Sequence, residues 1–180
     1  ETSRLWRKTV SEIAKEYKDV ALEYLFIDNA AMQLILNPKQ FDVILTENLF
    51  GDIISDEASV ISGSIGLLAS SSIGDQNALF EPVHGTYHQA KGKDIANPLA
   101  SILSASMLLY HLGLNEEADA IERAVEKSIA LGITTEDIKR KSQKSTTTSK
   151  VGDFVADYII NQDDSNMNFQ NIHMGQSTII

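Results

Sequence analysis

Cysteine is absent from all 180 residues, which removes disulfides and thiolate metal sites and fits a reducing compartment, so cytoplasm is the expected location. No run of apolar residues is long enough to cross a bilayer. The opening "ETSRLWRKTV" also lacks the charged start, apolar middle and small-residue cleavage site of a secretory signal. Basic residues are scarce: 15 Lys and Arg stand against 25 acids, a net charge of −10. That balance argues against a nucleic-acid or anionic-membrane partner, both of which need clustered positive charge. A small anionic substrate held by a local charge is still allowed. No internal repeat is visible, and no GxGxxG dinucleotide fingerprint occurs. What is present is a 43% hydrophobic composition, enough for a globular core. The chain begins at Glu1 rather than Met, and its first residues already run at helical spacing, so it is expected to be a piece of a longer protein.

Along residues 3–18, Trp6, Val10, Ile13, Ala14 and Tyr17 form one stripe of an amphipathic helix. "ALEYLFI" at 21–27 and "FDVILTEN" at 41–48 are expected strands, and "AAMQLILN" at 30–37 a short helix closed by Asn37-Pro38. A further helix is expected directly after the second strand. Alternating strand and helix indicates an α/β fold with crossover helices. From Gly63 the sequence turns rich in Gly and Ser, and a domain crossing is placed there. Asn97 and Pro98 form an N-cap and first-turn pair for a largely apolar helix closed by Gly113. Ala118, Ile121, Val125 and Ile129 mark the next helix, and Val151, Phe154, Val155, Tyr158 and Ile159 the last. Between these two, "KRKSQKSTTTSK" reads as a solvated polar loop, and residues 161–180 as an irregular tail.

From Asp28 to Glu81 there are eight acids and a single basic residue, Lys39. Asp52 at a helix start would gain about 0.3–1 kcal/mol from the helix dipole. Asp56 lies one turn later on the same face, where like charges repel. A hard cation such as Mg²⁺ or Mn²⁺, completed by Asp28 from a strand end, would reconcile them. Spacing alone leaves that reading and simple capping both open.

The wording around the acids adds to this. "NLFGDIISDEASVISGSIGL" at 48–67 and "FEPVHGTYHQAKGKDIANPLASILSASMLL" at 80–109 resemble, in order, two long motifs of the β-hydroxyacid oxidative decarboxylases, the isocitrate/isopropylmalate dehydrogenase family. With "SRLWRKT" and "FIDNAAMQL" the resemblance covers residues 1 to about 160, and the wording is nearest the isopropylmalate branch. It implies a two-domain α/β fold, of which 1–62 would be part of the dimerisation domain and 63–160 part of the cofactor-binding domain. It also implies metal-dependent oxidative decarboxylation of a small 2-hydroxy acid with NAD, as in leucine biosynthesis. Isocitrate, tartrate and homoisocitrate are the alternative substrates within the family.

Carried over by position, the resemblance makes Asp28, Asp52 and Asp56 ligands of Mg²⁺ or Mn²⁺, with Asp28 supplied across a homodimer interface. His84, Gly85, Thr86, Tyr87 and Asn97 would hold the adenosine half of the cofactor, with Glu81 nearby. One departure stands at Gln89, where NAD-using members commonly carry an Asp: Gln neither repels a 2′-phosphate nor holds the ribose as a carboxylate does. Lys91 and Lys93 stand close, yet no basic residue is placed like the phosphate grip of NADP-using members. The lysine and tyrosine of catalysis and the substrate-gripping arginines would precede Glu1, so the chain alone is expected to be inactive. A reading of another class, a non-catalytic assembly or regulatory subunit using the helices at 30–37 and 52–62, has to explain why three carboxylates persist.

Overall fold

The computed structural model describes residues 1–161. The tail expected at 161–180 therefore lies outside the described residues, apart from Asn161, which ends the last helix. The chain divides into two compact units, Glu1–Gly51 and the residues from Asp52 onward.

In the first unit α1 spans Thr2–Ile13 and tightens into a 3₁₀ turn at Ala14–Glu16, so the expected stripe is helical nearly to Tyr17. Helix α2, Ile27–Leu36, buries Ala30 and Leu34 four residues apart, the spacing of one helix face. Pro38 opens a 3₁₀ turn at Pro38–Gln40; its ring stops the α-helix at the residues before it.

The two strands expected at 21–27 and 41–48 are not formed. Residues 21–26 and 43–47 have no regular secondary structure, with Phe26 84% and Val43 86% exposed. A strand is a property of a pair: without a neighbour to accept and donate ladder bonds, an apolar segment has nothing to hold it in a sheet. Among the described residues no segment pairs with either one.

Helix α3, Asn48–Ser62, begins at the asparagine that closes the second of these segments. Glu47 reaches its first turn, accepting from Leu49 N at 2.9 Å and Phe50 N at 3.2 Å, and so satisfies donors that the helix itself leaves orphaned. Two antiparallel strands follow. β1, Ala69–Ile73, pairs with β2, Ala78–Pro82, in the register Ala69 to Pro82 and Ile73 to Ala78. Gly74 N donates to Asn77 O at 2.9 Å and closes the hairpin.

The core of this second unit is helical. α4, Leu99–His111, α5, Asn115–Leu131, and α6, Thr148–Asn161, gather Leu99, Ala124, Val125, Val151, Phe154 and Val155. The hairpin packs on α4, where Phe80 and His111 approach with ring centroids 5.5 Å apart. Gly113 and Gly132 follow α4 and α5 at φ 78° and 74°, the left-handed step that ends a helix and that a side chain resists. The apolar composition of α4 suggests burial on most sides, but Leu108 and Tyr110 on it are exposed.

The segment 139–150 is also more than a solvated loop. Thr146 N donates to Thr134 O at 2.7 Å, Thr148 N to Asp94 O at 3.0 Å, and Thr148 Oγ1 to Ala96 O at 2.5 Å. Threonine hydroxyls and amides here replace the sheet and helix bonds that an irregular segment lacks. Among the described residues no helix is long and apolar enough to cross a membrane.

Candidate nucleotide and metal site

Asp52 and Asp56 sit one turn apart on α3, both exposed. Ser55 and Ser59 direct their hydroxyls to the backbone carbonyls of Asp52 and Asp56, at 3.1 and 2.5 Å. Both serines thus bond the helix rather than the carboxylates. Asp28 is the second residue of α2 and is exposed, its Oδ1 accepting from Asn29 N at 2.8 Å. It lies in the first turn of a helix, not at a strand end. The placement still favours an acid, because the N-terminal turn carries the positive end of the dipole. Among the described residues no group of three or more His, Cys, Asp or Glu is gathered to hold a metal. The donor set itself fits a hard cation: exposed carboxylate oxygens on a helix, where retained waters complete the shell.

The expected nucleotide residues follow β2. Glu81 stands on that strand opposite Ser70, exposed. His84 Nδ1 lies 3.0 Å from Gly85 O; a carbonyl only accepts, so Nδ1 carries the hydrogen and Nε2 of the neutral ring is an acceptor. A Cβ built on Gly85 meets nothing within 4 Å, so no packing within the chain demands glycine there. Thr86, Tyr87 and Gln89 are exposed, leading into a 3₁₀ turn at His88–Ala90. Their side chains are presented outward from one short loop.

Asn97 stands one residue further out than expected, since α4 begins at Leu99 with Pro98 at its N-cap position. Its Oδ1 nevertheless accepts from the first helical amide, Leu99 N, at 3.0 Å and so serves as the cap of α4. The amide NH₂, which that bond does not use, is partly engaged: Nδ2 donates to Asp137 Oδ2 at 2.9 Å. One N–H of Asn97 remains.

Two acids that sequence reasoning passed over hold this region. Asp137 also accepts from Ser64 Oγ at 2.5 Å and from Thr135 Oγ1 at 2.6 Å. Burial pushes its carboxyl upward, but the bonds from Ser64, Thr135, Asn97 and its own backbone outweigh this and leave the pKa below the usual Asp value. Asp94, at φ 55°, accepts from Ser149 N and Oγ at 2.9 and 2.8 Å. The Ser149 amide, above all, holds Asp94 below the usual range. Neither acid carries a local signal. Apart from Thr135, the side-chain partners of Asp137 lie 40 and 73 residues away, and Ser149 lies 55 from Asp94.

An α/β chain with this order of elements and this pair of motifs matches a known class over nearly its whole length. Residues 1–155 match the family described as isocitrate/isopropylmalate dehydrogenase, and the chain belongs to that family. Among curated relatives, the 3-isopropylmalate dehydrogenase of Wolinella succinogenes is 58% identical over 160 residues, 88% of this chain and 45% of that protein. The 3-isopropylmalate dehydrogenase of Thermotoga maritima is 55% identical over 155 residues, 86% of this chain and 44% of that protein. Among solved structures, isocitrate dehydrogenase from Methylococcus capsulatus superposes with a TM-score of 0.83 at 39% identity, covering 88% of this chain and 46% of that one. The chain thus spans a little under half the length of the relatives it matches.

Proposed function

We propose that this chain is part of an NAD-dependent 3-isopropylmalate dehydrogenase acting in leucine biosynthesis, working as a cytoplasmic homodimer. The observation that carries the reading is 58% identity to an enzyme of that name across both the acidic and the nucleotide motifs. Asp52 and Asp56, with Asp28 from a second copy, would hold Mg²⁺ or Mn²⁺. When bound, such an ion supplies Lewis acidity toward the hydroxyl and carbonyl oxygens of a 2-hydroxy acid.

The chain's own residues have two tasks in this scheme. Asp52 and Asp56 present carboxylate oxygens one turn apart along the middle of α3, which disfavours the substrate's carboxylates on that face unless a cation intervenes. His84, Thr86, Tyr87 and Asn97, with Gln89 and Glu81 beside them, offer hydrogen-bonding groups and an aromatic face to an adenosine. Gly85 lets that adenosine approach the backbone. Gln89 in place of an acid predicts weak discrimination between NAD and NADP. The proton-relaying lysine, the tyrosine and the substrate-gripping arginines belong to the remainder of the enzyme, so the 180 residues alone would not turn over.

The test is full-length enzyme with Mn²⁺, either dinucleotide, and 3-isopropylmalate beside isocitrate. NADH formation with isopropylmalate alone is expected; none with that substrate refutes the assignment. Asp52→Asn should raise the Mn²⁺ concentration for half-maximal rate by at least about tenfold while leaving the thermal midpoint nearly unchanged. The capping alternative is already closed, since α3 begins at Asn48 with Glu47 on its first-turn amides and Asp52 in the second turn; a large loss of stability at unchanged metal affinity would make Asp52 structural and refute the metal role.

A further inference from the structure

The Gly-Ser-Ile-Gly stretch at 63–66 has no task in the function proposed above, yet it meets Asn97 directly through Gly66 and meets the partner of Asn97, Asp137, through Ser64. Ser64 Oγ donates to Asp137 and accepts from Gly66 N at 3.0 Å, which fixes the short turn Ile65–Leu67. Gly66 is buried directly against Asn97: a Cβ built there would lie 2.8 Å from Asn97 Cβ and 2.9 Å from Nδ2. Asp137 then holds the same Nδ2 from its carboxylate side.

The amide of Asn97 is therefore locked in both senses. The α4 cap requires oxygen toward Leu99 N, because a backbone N–H cannot donate to an NH₂ group. The Asp137 carboxylate, which only accepts, requires nitrogen on its side. The two demands agree, and the amide flip that ordinarily leaves an asparagine ambiguous is excluded. What is left for a ligand is one N–H of fixed direction.

We propose that Asp137 is a positioning residue for dinucleotide binding, orienting the Asn97 amide so that its remaining N–H serves a base-ring acceptor, with Ser64 and Gly66 holding Asp137 and Asn97 in place. The inference rests on the assignment of 84–97 as the adenosine site. It gives the Gly-Ser-Ile-Gly stretch a role in nucleotide affinity rather than in the chemical step. The lowered pKa of Asp137 agrees, since an ionised carboxylate accepts from all three side-chain donors at once.

Asp137→Asn and Asp137→Ala in the full-length enzyme test it, with NADH binding followed by fluorescence alongside steady-state kinetics and thermal midpoints. The Asn variant preserves size and keeps the fold testable if Ala does not. Both are expected to raise the dinucleotide Kd and KM about tenfold, the loss of one charge-assisted contact's worth of orientation, with kcat and the KM for the hydroxy acid within about twofold. Ser64→Ala should give a smaller rise of the same kind. The double variant Asn97→Asp with Asp137→Asn restores a complementary pair and the α4 cap, so it should recover the thermal midpoint but not the dinucleotide affinity. Unchanged Kd with a lowered midpoint, a fall confined to kcat, or failure of both Asp137 variants to fold assigns Asp137 to structure alone and overturns the proposal. Wild-type enzyme that binds neither NADH nor NADPH saturably refutes instead the nucleotide assignment beneath it.

Discussion

The carboxylate of Asp94 caps the start of α6 from 55 residues away, taking the amide of Ser149 at 2.9 Å and its hydroxyl at 2.8 Å. Asp94 does this at φ 55°, a conformation that Asp and Asn tolerate through their short polar side chains and that Ala resists. Asp94→Asn should keep both the backbone and an accepting oxygen and lower the thermal midpoint least. Asp94→Gly keeps only the backbone, and Asp94→Ala keeps neither, so stability should fall in that order. Because folding depresses this pKa, the contribution is present above the ordinary Asp range and disappears as pH falls through the lowered value. Wild type and Asp94→Asn should therefore converge in acid; a constant gap between their midpoints across the acid limb contradicts the cap.

Gly66→Ala is expected to be costly for a different reason. The new methyl meets Asn97 at less than 3 Å, and Asn97 is pinned by Leu99 and Asp137. Either the turn at 65–67 or the α4 cap must move, with an overpacking cost of about 1–3 kcal/mol. Urea unfolding measures it; a variant within about 0.5 kcal/mol of wild type would show the contact to be soft.

Tyr110 on α4 donates its phenol to Asp119 on α5 at 2.5 Å. That bond first, then burial and the negative charge of Glu122, push its pKa up to about 12. The neutral phenol is the form the fold prefers, so its contribution is complete below about pH 10 and is lost as pH rises toward the raised value. Ultraviolet titration should find one of the five tyrosines ionising late, and Tyr110→Phe should remove that late component and flatten the alkaline stability loss. Loss of a component with an ordinary midpoint would contradict the assignment.

Phe154 is 1% exposed at the centre of the α4, α5 and α6 cluster. Phe154→Ala should destabilise by about 3–5 kcal/mol, enough to leave little of an ordinary domain's stability. Circular dichroism across a denaturant series checks it, and a loss below about 1 kcal/mol would mean that the cluster collapses into the space.

The helices were legible because each carries its own evidence. A stripe such as Val151, Phe154, Val155 and Tyr158 recurs at helical spacing whatever surrounds it. The strands were not, for the converse reason. Residues 21–27 and 41–48 have the composition of buried strands but no pairing segment among the described residues, whereas β1, with three serines in five residues, has little strand propensity and forms because Gly74 and Asn77 fold β2 back onto it. The site divided in the same way. Asp28, Asp52, Asp56 and the residues from His84 to Asn97 could be singled out as candidates because motifs keep them together in sequence. Asp94 and Asp137 were missed because they act on partners far along the chain, and nothing in "KGKDIANP" or "TTEDIK" says which helix or amide will need them.

Exposed Tyr24, Leu25 and Phe26, together with exposed Val43, Ile44 and Leu45, have a consequence for handling this polypeptide. Open backbone donors flanked by β-branched and aromatic side chains are what holdase chaperones grip and what amyloid-like stacking recruits. Made by itself, residues 1–51 should be sticky at micromolar concentration and short-lived in a cell.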